Sequence, residues 1–127
     1  MVDLIKVQKF IFDRISQLSY TIVDDFAIYE QAKTPYIQLS NLYIDNDNTK
    51  NTEGMVIQQY INVYSSYKGK KEILQIAQAI SSVMNGKAEI EEYSVYIEED
   101  TKTIMLDFDN NGNIFYHSVM IFKIHIQ

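Results

Sequence analysis

A chain of 127 residues with 46% hydrophobic and 22% charged residues is long enough for one domain with its own core, and too apolar to be disordered throughout. It has no cysteine, which removes disulfides, thiolate metal sites and cysteine nucleophiles together. The net charge of −6 disfavours a protein that wraps duplex DNA, because that binding needs Lys and Arg against phosphates.

No apolar run approaches the roughly 20 residues of a membrane span. The start "MVDLIKVQKF" mixes acid and base early and lacks a signal-peptide pattern, so the chain is expected to be made and folded in the cytoplasm. Ten tyrosines and no tryptophan suit surfaces that assemble from soluble parts, since Tyr adds contact area and keeps a polar tip.

Residues 2–19 read as a helix. Ile5, Phe10 or Ile11, Ile15 and Leu18 recur at three- and four-residue steps, and Asp3 favours the positive end of the helix dipole. "YTIVDDFAIYE" is rich in β-branched and aromatic residues and predicts a short strand around 26–30. Pro35 then opens a strand over 36–44, with Ile37 and Leu39 on one side. The polar stretch 45–54 predicts a long, mobile loop.

"MVIQQYINVYSS" is the next strand. Ile57, Ile61 and Val63 share one face, and Gln58, Tyr60, Asn62 and Tyr64 the other. "KGKKEILQIAQAISSVMNG" is a second helix with an apolar stripe of Ile73, Ile76, Ala77, Ile80, Val83 and Met84, stopped by Asn85-Gly86. "EEYSVYIEED" predicts a strand with Tyr93, Val95 and Ile97 together. Strands over 103–108 and 114–126 then form a long hairpin. The fold class is therefore α+β: two helices packed on a mainly antiparallel sheet that ends in a long C-terminal β-hairpin, all in a single domain over 1–127.

The most chemical-looking stretch is "DFDNNGNI", residues 107–114. Asp107, Asp109 and Asn111 followed by Gly112 match the start of an EF-hand loop. Position 12 of that loop is Ser118 where a bidentate Glu is required, and both flanks alternate as strands where helices are required. The stretch is read as a hairpin turn, with Gly112 taking a positive φ.

His117 and His125 share a strand face but lie about 26 Å apart at 3.3 Å per residue, too far to share a metal. No serine is set in a nucleophile elbow, and the acidic runs "EIEE" and "EED" read as solvated strand ends. Four glycines leave no phosphate-cradling loop, and the basic "YKGKKE" reads as a solvated helix start. No enzyme, cofactor or metal is expected. The candidate sites are contact surfaces: the Tyr60, Asn62, Tyr64 face, and the loop carrying Asp45 and Asp47.

The order of elements is similar to something specific. A short helix leads to "TPYIQLS", a polar loop, "VIQQYINVYSS", the helix "ILQIAQAISSVMNG" and the closing pair "TIMLDF" and "NIFYHSVMIFKIHI". This resembles the tail-completion, or tail-terminator, proteins of long-tailed phages and prophages, over nearly the whole chain and through soft hydrophobic patterns. The resemblance implies a ring, expected to be a hexamer of this chain, on the head-proximal end of the tail tube. Its implied partners are the tail-tube protein and a head-tail connector or stopper, with DNA passing through the lumen without specific binding and no membrane. The implied location is the virion tail. The acidic charge is compatible with a conduit that does not grip phosphates. A small acidic protein-binding module or regulator is the alternative, and an enzyme with an unrecognised carboxylate site a third.

Overall fold

A computed structural model describes residues 2–23, 33–46 and 54–127. Helix α1 (Leu4–Ser16) begins where the Asp3 carboxylate accepts a hydrogen bond from the Ile5 backbone N–H at 2.9 Å. Its buried residues are Val7, Ile11 and Ile15, one helical turn apart. Phe10 and Leu18 pack partly against the core, as the periodicity predicts. Ile5 does not: it is 76% exposed. Two residues before Val7 is about 200° around the helix, so Val7 and Ile5 cannot both face inward, and Val7 wins.

Strand β1 (Thr21–Val23) runs parallel to β2 (Tyr36–Asn46). The strand expected around 26–30 lies outside the described residues. The Thr34–Pro35 peptide is cis, and the strand opens directly after it. Ile37 and Leu39 are buried together, as expected. β2 runs on through Asp45 and Asn46, so the start of the expected loop is strand; Asp47 lies outside the described residues.

Strand β3 (Met55–Ser65) alternates buried and half-buried along its whole length. Helix α2 (Lys71–Met84) buries Ile73, Ile76, Ala77, Ile80 and Met84, with Val83 partly buried beside them. The Ser65 hydroxyl donates to the Glu72 carboxylate at 2.6 Å, tying the end of β3 to the first turn of α2.

Gly86 follows with φ +115, a conformation that L side chains rarely adopt. A Cβ there would meet nothing within 4 Å, so the strain is in the backbone alone. Gly86→Ala is expected to cost about 1–3 kcal/mol in a urea melt, with an unchanged m-value.

Gly86 also opens β4 (Gly86–Ile90), a strand the sequence reading misses. β5 (Tyr93–Phe108) is one strand of 16 residues where two shorter ones were expected. It passes the charged "EEDTK" through a bulge between Glu99 and Thr101 and continues. β6 (Ile114–Ile126) completes the hairpin with β5.

The six strands form one sheet in the order β1-β2-β3-β6-β5-β4, antiparallel except for β1 with β2. The last strand is therefore central: β6 lies between β3 and β5. α2 packs across β3, β6 and β5, and α1 packs on α2 and β4. Helices cover one face of the sheet, and the core lies between the layers. The fold is α+β, as read from the sequence.

Ser118 is fully buried on the helix-side face of β6, and its hydroxyl is the one buried side-chain polar atom without a hydrogen-bond partner among the described residues. An unmet buried hydroxyl costs on the order of 1–3 kcal/mol. Ser118→Ala is expected to raise the denaturation midpoint by about 1 kcal/mol equivalent; a loss of stability would show that the hydroxyl is satisfied.

Candidate assembly surface

The face of the sheet away from the helices is built by the second parity of each strand. On β3 it presents Val56, Gln58, Tyr60, Asn62 and Tyr64, all half-buried. β6 adds Phe115, His117, Val119, Ile121, Lys123 and His125 beside them. Charge is sparse in the middle of this face, where rings and amides pack.

Tyr64 lies between Tyr36 and His117, its direct cross-strand partners on β2 and β6. Ring centroids are 4.9 Å from Tyr36, at an interplanar angle of 30°, and 4.5 Å from His117, at 15°. Phe115 is tilted against Tyr64 at 5.9 Å. A hydrogen-bonded row runs alongside. The Asn62 amide donates to Gln38 Oε1 at 3.1 Å, and the Tyr64 hydroxyl donates to the same oxygen at 3.4 Å. The Asn62 side-chain oxygen faces His117 Nε2 at 3.3 Å. Tyr60 packs against Tyr43 at 5.3 Å. The predicted Tyr60, Asn62 and Tyr64 are therefore one surface, locked to the strands on either side.

Asp45 is exposed and lies opposite Val56 on the same face. Val56 is about 26 Å along β3 from Tyr64, so Asp45 marks the other end of the face. Tyr36 and His117 were not singled out as members of this surface. His117 had the right parity, but only the β3–β6 pairing brings it to Tyr64.

Burial lowers the His117 pKa from its ordinary value, and the nearby Asp107 carboxylate opposes this only in part. The unfolded chain then binds more protons than the folded one between the lowered value and about 6.5. Stability is full above about 6.5 and is lost as pH falls through that window. Melts between pH 8 and 5 are expected to show this slope in the native chain and its absence in His117→Gln.

At the far end of the face, His125 Nε2 lies 3.1 Å from Glu98 Oε1, beside Tyr96, over a shallow concavity of about 660 Å³ also lined by Lys87, Glu89 and Ser94. His125 and Glu98 are 36% and 46% exposed, an ordinary surface contact. Among the described residues no group of three or more His, Asp or Glu could hold a metal ion.

The "DFDNNGNI" stretch is the hairpin turn. Asp109 Oδ1 accepts from the backbone N–H groups of Asn111 and Asn113, both at 2.9 Å, and Oδ2 accepts from the Asn113 amide at 3.1 Å. Gly112 takes φ +81 and donates its N–H to the Asp109 carbonyl at 3.0 Å. These donors, Asn113 first, hold the Asp109 carboxyl below the usual carboxylate range. Both oxygens are thus engaged by the turn itself.

The family model for "Tail completion protein gp17" matches residues 12–124. The chain belongs to that family. It is a structural protein of tail assembly, as tail-completion proteins are, and its place is in the virion tail. The comparison with curated proteins finds no match. Among solved structures, a chain of the "Virion of native gene transfer agent (GTA) particle" is similar at a TM-score of 0.59 with 10% identity, covering 92% of each chain. At that identity the likeness concerns the fold.

Proposed function

We propose that the protein forms a ring, expected to have six copies, that caps the head-proximal end of the tail tube. The ring stops tube polymerisation and presents a docking surface to the head connector, while DNA passes through its lumen without specific contacts. The Tyr60, Asn62, Tyr64 face, with Asp45 toward its far end, is a contact surface in the assembled particle, and Asp47 is a further contact residue. No catalytic step is assigned: the work is geometry and interface.

The family match across nearly the whole chain carries this reading. The helix-free face supports it, because a half-buried, tyrosine-rich, charge-poor patch has the composition of an interface core. The net charge of −6 supports the conduit, since it repels phosphates. The test is tube growth. Adding the protein to polymerising tail-tube protein is expected to shorten the tubes in proportion to dose, as measured by negative-stain microscopy. Unchanged tube lengths at a molar excess would contradict the capping role.

A further inference from the structure

Among the described residues the sheet has two partly uncovered edges. β1 pairs only with residues 36–38 of β2, and among the described residues nothing pairs with the outer edge of β2 from 39 to 46. On the opposite side, β4 pairs only with residues 93–97 of β5, which leaves the outer edge from 98 to 108 equally unpaired. Open backbone edges invite another strand, and soluble proteins usually guard them with charge. On the β5 edge charge is concentrated at residues 98–102, and beyond it, as on the β2 edge, large apolar residues are exposed. Leu42, Tyr43 and Ile44 are 39–53% exposed on one edge, and Met105, Leu106 and Phe108 are 37–72% exposed on the other.

We infer that the β5 edge of one copy pairs with the β2 edge of the next, joining the sheets of neighbouring copies head to tail. This deepens the ring reading and rests on it. Three observations fit the two edges to each other. First, β2 runs parallel to β6 and β5 antiparallel to it, so a neighbour in the same orientation brings the edges together antiparallel. Second, the parities match. Leu42 shares the helix-side face with buried Gln59, and Leu106 and Phe108 share that face through Tyr116 and Ile114. Tyr43 and Met105 both lie on the helix-free face, through Gln58 and His117. A pairing centred on Tyr43 and Met105 therefore sets Leu42 against Leu106 and Ile44 against Ile104. Third, the edges lie at different heights. Tyr43 is level with Lys123 of β6 and Met105 with His117, so each copy is stepped along the strands by about 20 Å. Over the four strands from β2 to β5, about 19 Å wide at 4.8 Å spacing, that step gives a strand tilt of about 45°. Closed sheets tilt by about 35–45°.

Two different edges make a heterologous contact, which does not stop at a dimer and gives a ring when the rotation between copies closes. The chain has no cysteine, so introduced pairs report without background. Tyr43→Cys is combined in turn with Thr103→Cys, Met105→Cys or Asp107→Cys, and with Phe12→Cys on the outer surface of α1 as a control. The assembled protein, alone and on tail tubes, is oxidised and run without reductant. The expected result is a ladder of multimers for at least one of the three pairs, at more than ten times the crosslinked fraction of the control. Each single variant stays monomeric. Leu106→Lys, at a 60% exposed position, is expected to block the ring while leaving the monomer's melting unchanged. Dimers from a single variant would show a two-fold contact and overturn the inference. A ring by light scattering with no ladder from any pair would place the ring contact on another surface, overturning the edge pairing and sparing the ring. No multimer and no capped tube would overturn both.

Discussion

Phe122→Ala is expected to lower the unfolding free energy by about 3–5 kcal/mol. Phe122 is fully buried on the central strand β6, flanked by Gln59 of β3 and Glu99 of β5. α2 packs across those three strands, so truncation opens a cavity between the layers that rigid backbone on both sides cannot close. A domain of this size has about 5–15 kcal/mol in total, so the variant is marginal and its thermal midpoint falls by roughly 10–20 °C. Phe122→Leu, which keeps most of the volume, is expected to lose about 1–1.5 kcal/mol. Urea melts of the two variants check this. A loss below about 1 kcal/mol for the alanine variant would mean that the layers collapse onto each other, against the packing described.

Tyr64→Ala is expected to weaken tube capping by more than about tenfold, the effect of losing an interface tyrosine worth about 2 kcal/mol. The ring contacts with Tyr36 and His117 hold Tyr64 rigid, so little ordering entropy is lost when a partner covers it. The same contacts make the variant less stable by itself, by roughly 1–2 kcal/mol. Tyr60→Ala separates the two effects, because Tyr60 has a single ring partner, Tyr43, among the described residues. Both variants are assayed at a temperature where circular dichroism shows them folded. Capping at native concentrations by both would remove this face from the assembly.

What the sequence made legible was local. The stripe from Ile73 to Met84 and the alternation from Met55 to Ser65 need only a period, and the structure buries the residues those periods select. The hairpin turn was legible because Gly112 and the missing ligand at Ser118 are both chain-local facts. What was hidden depends on pairing between distant segments. "KAEI" is short and poor in β-branched residues, so only its partner β5 makes it a strand. The charged "EEDTK" has the composition of a turn, yet it continues β5 along an outer edge where Asp100 and Thr101 stay exposed. Ile5 fits an apolar helical stripe as well as its neighbours do, and only the positions of α2 and β4 decide that Val7 is the inward residue. The aromatic row Tyr36–Tyr64–His117 joins residues from three strands, and it follows from placing β6 next to β3. The surface was therefore half legible: its β3 residues by alternation, its flanking rings only through topology.

The proposed capping role seats this protein as a ring on one end of the tail tube. Gold-labelled protein mixed with preformed tubes and viewed by negative stain tests it most directly. Label is expected at one end of each tube only, with a ring-shaped cap and no further growth from that end. Label scattered along tube walls, or none on tubes at saturating protein, would contradict it.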